Sequence, residues 1–285
     1  MKSILTLLAL LIVPLHMNSQ TNETIFLWPD SVPGESDAKH PPRQDENTSG
    51  NVIRLTDVTD PAFIVLEPEA SLSNGAGVIV CPGGGGRILA WDKEGLEVGQ
   101  WFNTLGITAF VLQYRVPNKQ EGALMDIQRA IRIIRSRAGD WKLDKDKLGV
   151  IGFSAGGWLC ARASTSYREE TYPMIDNADT LSCRPDFSML IYGAGLDRGE
   201  GRSLSPELKV DENTPPMFLF ATADDKHGNS TLVMAGALRD AGIPVESHLL
   251  PFGGHGYGLR AGNIAGKTWP MLAEQWLKNI IKIEL

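Results

Sequence analysis

Short, continuous apolar runs recur along this chain, and most are followed by a stretch of helical periodicity. Gly-Val-Ile-Val-Cys at 77–81 and Leu-Gly-Val-Ile-Gly-Phe at 148–153 are apolar at every position. A strand of that kind must be covered on both faces, which means a mainly parallel sheet between two layers of helices. The pattern predicts strands over 52–55, 62–66, 77–81, 108–113, 148–153, 187–192, 217–221 and 245–250. Helices are expected over 93–105, with Asp92 as N-cap, and over 123–138, 155–164, 231–241 and 269–283. Met125, Ile127, Ala130, Ile131, Ile134 and Ala138 share one face of the second helix. The fold class is therefore α/β.

No repeat or linker divides residues 51–285, so they read as one domain. Residues 20–50 are polar and interrupted by Pro29, Pro33, Pro41 and Pro42, which suggests an extended N-terminal arm. Residues 1–19 have a different layout: Lys2 near the start, an apolar run from Ile4 to Leu15, then Asn18 and Ser19. That is the plan of a signal peptide, too short for a bilayer span, and it predicts export to the periplasm or beyond. With 27 basic and 34 acidic residues the net charge is −7, which disfavours a nucleic-acid partner. The three cysteines, Cys81, Cys160 and Cys183, do not make a disulfide framework. There is no C-x-x-C and no H-E-x-x-H, so no metal site is expected.

Gly152-Phe153-Ser154-Ala155-Gly156 matches G-x-S-x-G between an apolar strand and a small-residue helix. That context makes Ser154 a candidate nucleophile on a tight strand-to-helix turn. The competing reading is a plain Gly-Ser turn. Cys81-Pro82-Gly83-Gly84-Gly85-Gly86 follows another buried strand. Bare glycines let backbone N–H groups approach a ligand atom, and fixed donors to a developing oxyanion are worth ~2.7–4 kcal/mol each. Gly84 and Gly85, with Ala155, are the candidate oxyanion donors. A phosphate cradle fails because no glycine follows at the spacing of G-x-G-x-x-G. Gly266-Lys267-Thr268 resembles the end of a P-loop, but Ala261 stands where that motif needs glycine.

A serine hydroxyl needs a base. His255 lies in Gly253-Gly254-His255-Gly256-Tyr257-Gly258, just past an expected strand, where it can swing over the sheet edge. His248 lies within that strand, and His227 sits beside an acidic pair in a loop. Asp224 and Asp225 follow the strand at 217–221. Asp225 is the first candidate for the acid and Asp224 the alternative, ahead of Asp126 and Asp186. Such chemistry needs no cofactor. Trp91 is a candidate for stacking on a sugar ring, against the simpler reading of core packing.

These segments together resemble the α/β-hydrolase superfamily, and more narrowly the bacterial acetyl-esterase and feruloyl-esterase-like enzymes that deacylate xylan and related polysaccharides. The resemblance is carried by Val58-Thr59-Asp60-Pro61, CPGGGGRILAWDKEG at 81–95, YRVP at 114–117, DIQRAIRIIRSRA at 126–138, GFSAGG at 152–157, RPDF at 184–187 and FGGHGYG at 252–258. It implies Ser154 as nucleophile, His255 as base, an Asp of the 224/225 pair as acid, and an acylated carbohydrate or other small ester as substrate. Trp158 stands where the family commonly has histidine, and the segment after Asp225 lacks a usual Val-Pro step. Two other classes share features with this reading: a serine peptidase of prolyl-oligopeptidase type, and a non-catalytic carbohydrate-binding protein on a hydrolase fold.

Overall fold

The computed structural model describes residues 23–282; the expected signal peptide lies outside the described residues. In chain order the strands are β1 (Thr24–Phe26), β2 (Arg43–Gln44), β3 (Arg54–Thr56), β4 (Ala62–Leu66), β5 (Gly77–Cys81), β6 (Leu89–Ala90), β7 (Thr108–Gln113), β8 (Leu148–Phe153), β9 (Ser188–Ile191), β10 (Met217–Thr222) and β11 (Val245–Leu250). The α-helices are α1 (Glu97–Thr104), α2 (Gln120–Ser136), α3 (Ala155–Thr165), α4 (Gly228–Asp240) and α5 (Ile264–Ile280).

Eight strands form the main sheet in the order β1-β4-β7-β5-β8-β9-β10-β11. The first two pairings are antiparallel and the rest parallel. The expected strand at 52–55 appears as β3, starting two residues later and ending one later, in a separate three-stranded sheet with β2 and β6.

The all-apolar strands are explained by two cores, one on each face. In β5, Ile79 and Cys81 join one core while Val78 and Val80 join the other. Ile127 and Ile131 of α2, Leu159 of α3 and Leu238 of α4 cover the first face. Phe102 of α1 and Trp269 and Leu277 of α5 cover the second. Each such side chain removed from water contributes ~1.5–3 kcal/mol. Leu27, Trp28 and Val32 of the N-terminal arm pack onto the first layer, and the Trp28 indole N–H donates to Asp126 Oδ1 at 3.0 Å.

Only α3 starts where the sequence predicts; α2 and α4 each begin three residues early, and the starts at Asp92 and Ile264 have identifiable causes. The helix expected from residue 93 opens as a wide π-turn, Asp92–Leu96, before α1. Asp92 does not cap it. Trp91 is already helical, and the Asp92 carboxylate is taken by Ile53 N and by Arg260. The last helix begins five residues early because Asn263 supplies a side-chain cap, accepting from Ala265 N and Gly266 N. The P-loop-like Gly266-Lys267-Thr268 is therefore the first turn of α5.

Candidate active site

The chain leaves β5 for β7 on one side of it, and β8 then pairs on the other side. At such a reversal the loops after two neighbouring strands diverge and leave a crevice at the carboxyl ends. Cys81 is opposite Gly152, so the glycine loop and the turn at Ser154 emerge side by side.

Ser154 sits between β8 and α3 with φ 52° and ψ −116°, a conformation that side chains rarely adopt. The turn is closed by tight contact. A Cβ on Gly152 would lie 2.1 Å from Gly156 O, and one on Gly156 would lie 2.0 Å from Cys81 O. Any side chain there would force β5, β8 and α3 apart. His255, in the loop between β11 and α5, reaches back so that its Nε2 is 2.8 Å from Ser154 Oγ. Its Nδ1 is 2.6 Å from Asp225 Oδ2. The Asp225 side chain is 1% exposed, and its other oxygen accepts from His227 N at 2.9 Å. Asp225 leaves β10 almost directly, so the sheet fixes its position.

Asp224 points elsewhere. Its carboxylate accepts from Gly254 N at 2.9 Å and Gly253 N at 3.2 Å. It pins the start of the histidine loop, and those amides hold its carboxyl below the usual range. Asp126 is buried against Arg115, with Nη2 2.9 Å from Oδ1. Asp186 pairs with Arg135 and accepts from Leu148 N at the start of β8, the opposite end of the sheet from Ser154. His248 stays in β11 beside Glu246 at 2.8 Å. Trp91 is buried, 7% exposed, and packs in the second core, as the simpler reading expects.

Gly84 has φ 141°, and a Cβ there would lie 2.0 Å from Ile88 O. Gly85 has φ 64° and faces open space. Among the described residues, the amides of Gly84, Gly85 and Ala155 donate to no protein group. Two hollows meet at Ser154. One of about 400 Å³ is lined by Gly85, Tyr114, Gln120, Trp158, Arg198 and His227, among others. A more open one of about 420 Å³ includes Val52, Gly84, Ile88, Lys93, Glu94 and His255.

The sequence reading gave no site role to His227, Glu94 or Tyr192. The His227 ring lies 5.2 Å from that of His255, and burial and then the neighbouring histidine lower its pKa. Glu94 is buried, which raises its pKa, and it accepts from Gly83 N at 2.8 Å. Tyr192 packs edge-on to His255 at 4.9 Å. Glu94 stands inside the 81–95 segment that carries the resemblance; no local pattern marks Tyr192. Chemically, the cluster offers a hydroxyl, an imidazole within proton-transfer reach, a carboxylate to orient that ring, and uncommitted amides beside it.

The BD-FAE family matches residues 67–182, a span that takes in the glycine loop and the Ser154 turn. An acetylxylan esterase of Xylanibacter ruminicola is 27% identical over 249 residues, which are 80% of this chain. The chain spans 50% of that relative's length. Among solved structures, an acetyl ester-xyloside bifunctional hydrolase from Caldicellulosiruptor lactoaceticus is 30% identical with a TM-score of 0.75. The match covers 92% of this chain and 97% of that one. MGS-M1, an alpha/beta hydrolase enzyme from a Medee basin deep-sea metagenome library, is 28% identical with a TM-score of 0.62, covering 85% and 98%. Near-complete overlap with these enzymes, on a mainly parallel sheet with its crevice at the β5–β8 reversal, means that the chain belongs to the α/β-hydrolase superfamily.

Proposed function

We propose that this protein is a serine esterase that removes acyl groups, acetyl first among them, from carbohydrates through an acyl-enzyme. The observation that carries the reading is the chain of contacts from Ser154 Oγ through both nitrogens of His255 to Asp225, at 2.8 and 2.6 Å. His255 takes the Ser154 proton as the oxygen attacks the acyl carbon. Asp225 orients the ring and stabilises its charged form. The amides of Gly84, Gly85 and Ala155 receive the oxyanion. The sugar alcohol leaves with the proton from His255, and water activated by the same ring cleaves the acyl-enzyme.

The substrate class is supported by the acetylxylan esterase and acetyl ester-xyloside hydrolase relatives. Export is supported by the apolar run after Lys2, and N-terminal sequencing of the mature protein tests it. For the activity, Ser154→Ala should abolish acetate release from p-nitrophenyl acetate and from acetylated xylo-oligosaccharides, with circular dichroism unchanged. Unaltered turnover in that variant removes the mechanism.

A further inference from the structure

Glu94, Asp126 and Asp225 are the buried acidic residues among those described. Asp126 has Arg115 as counter-ion and Asp225 has His255. Glu94, 4% exposed, is in no ion pair among the described residues. A buried carboxylate without a counter-ion costs stability, so stability does not account for this one.

Its two oxygens have different partners. Oε2 accepts from Gly83 N at 2.8 Å, at the root of the glycine loop. Oε1 accepts from the Tyr192 hydroxyl at 2.9 Å. That hydroxyl accepts in turn from Gly258 N at 3.0 Å, at the far end of the histidine loop. Both neighbours present hydrogens to Glu94, the arrangement that suits an ionised carboxylate. Tyr192 itself is held at φ 42° just past β9, with its N–H donating to Phe220 O at 2.6 Å. Its ring rests on His255 at 4.9 Å and on Tyr257 at 4.4 Å between centroids. One carboxylate thus fastens two loops that the sequence separates by more than 150 residues, and it does so on the wall of the open hollow.

We propose that Glu94 is a positioning residue, which through Tyr192 locks the glycine loop and the histidine loop in one fixed relation across Ser154. By engaging Gly83 N, it orients the loop so that the next two amides face the crevice. By holding Tyr192, it sets the platform on which the imidazole sits. It also places negative charge near the imidazolium that forms when His255 takes a proton. The inference rests on the esterase reading above. The other groups facing His255 are Asp224, Asp225, Lys226 and His227 from the loop after β10, Tyr192 after β9, Lys93 beside Glu94, and Tyr257 from its own loop.

Glu94→Gln keeps an oxygen for Gly83 but turns a donor toward the donating tyrosine. Tyr192→Phe leaves Gly258 N and one Glu94 oxygen unpaired. Each variant should lower kcat on p-nitrophenyl acetate about 10- to 100-fold with KM within about twofold, because the lost alignment matters in the transition state. The double variant should be little worse than the poorer single. In Glu94→Gln alone, the acid limb of kcat/KM should move about half a unit to lower pH, since the charged ring loses a negative neighbour. In both, hydrogen exchange at residues 83–86 and 254–258 should quicken together while α2 and α4 are unchanged. Wild-type kcat with an unmoved acid limb, or faster exchange at 83–86 alone, overturns the proposal. Absence of ester turnover in the wild type would count against the esterase reading instead, and the exchange arm would still decide whether the two loops are tied.

Discussion

Asp225→Asn is the sharpest perturbation of the catalytic reading, because the change is isosteric and the site is closed. The Asp225 side chain is 1% exposed, and each oxygen has one partner: His227 N at 2.9 Å and His255 Nδ1 at 2.6 Å. An asparagine keeps its oxygen on the backbone donor His227 N, which leaves its NH2 facing Nδ1. That nitrogen must then be the acceptor, so the proton moves to Nε2, 2.8 Å from Ser154 Oγ. The ring can no longer take the serine proton without first exchanging its own. A wrong tautomer of this kind costs roughly 10⁴ in kcat in serine triads generally, or about 5.5 kcal/mol of barrier. Asp224→Asn is the control. Its carboxylate is exposed and accepts from Gly253 N and Gly254 N in the histidine loop, a task an amide oxygen performs. The expected loss there is within about tenfold, from a weaker neutral hydrogen bond. Both are read from initial rates on p-nitrophenyl acetate above pH 7, with thermal melts to exclude unfolding. A larger loss in Asp224→Asn than in Asp225→Asn would refute the argument.

Ser154→Gly should abolish turnover yet raise stability by about 1 kcal/mol, because glycine relieves a backbone held at φ 52°. Urea denaturation measures it, and a stability equal to or below wild type would mean that the turn stores no strain. A pH effect is expected on the opposite side of α2. Arg129 donates to Asp176, which holds that carboxyl below its ordinary 3.8. The ionised form therefore favours the fold: the contribution is present above about pH 4 and is lost as pH falls further. Arg129→Gln should flatten that part of the stability–pH curve, and an unchanged slope below pH 4 would show that the pair does not contribute.

Much of the architecture was legible because burial on both faces leaves a mark on composition. Gly-Val-Ile-Val-Cys at 77–81 has no polar position, and the two cores that take its alternate side chains are why. Ser154 and His255 were legible because strained turns and swinging loops require glycine, and glycine can be read directly. Helix ends were less so. Asp92 looks like a cap, but its carboxylate serves Ile53 and Arg260, partners 39 and 168 residues away. Trp91 could be read as a sugar platform or as core. Its burial within the second core favours the core reading.

The choice between Asp224 and Asp225 shows where sequence reasoning stops. Two adjacent carboxylates leave β10 at the same height, and their residue type is identical. What separates them is the direction of each side chain after the strand ends. Asp225 N donates to Thr222 O at 3.3 Å, so the chain turns immediately after β10. That turn sends Asp225 inward under the imidazole and Asp224 outward to the glycine amides that begin the same loop. The two acids thus share one task by different routes: Asp224 holds the backbone from which His255 hangs, and Asp225 holds the ring. Glu94 extends this arrangement to the loop's other end, where Tyr192 meets Gly258. A histidine loop this rich in glycine has little stiffness of its own. Its precision must then come from the three carboxylates around it, one of which, Glu94, had no mark as a site residue until the sheet brought its partners together.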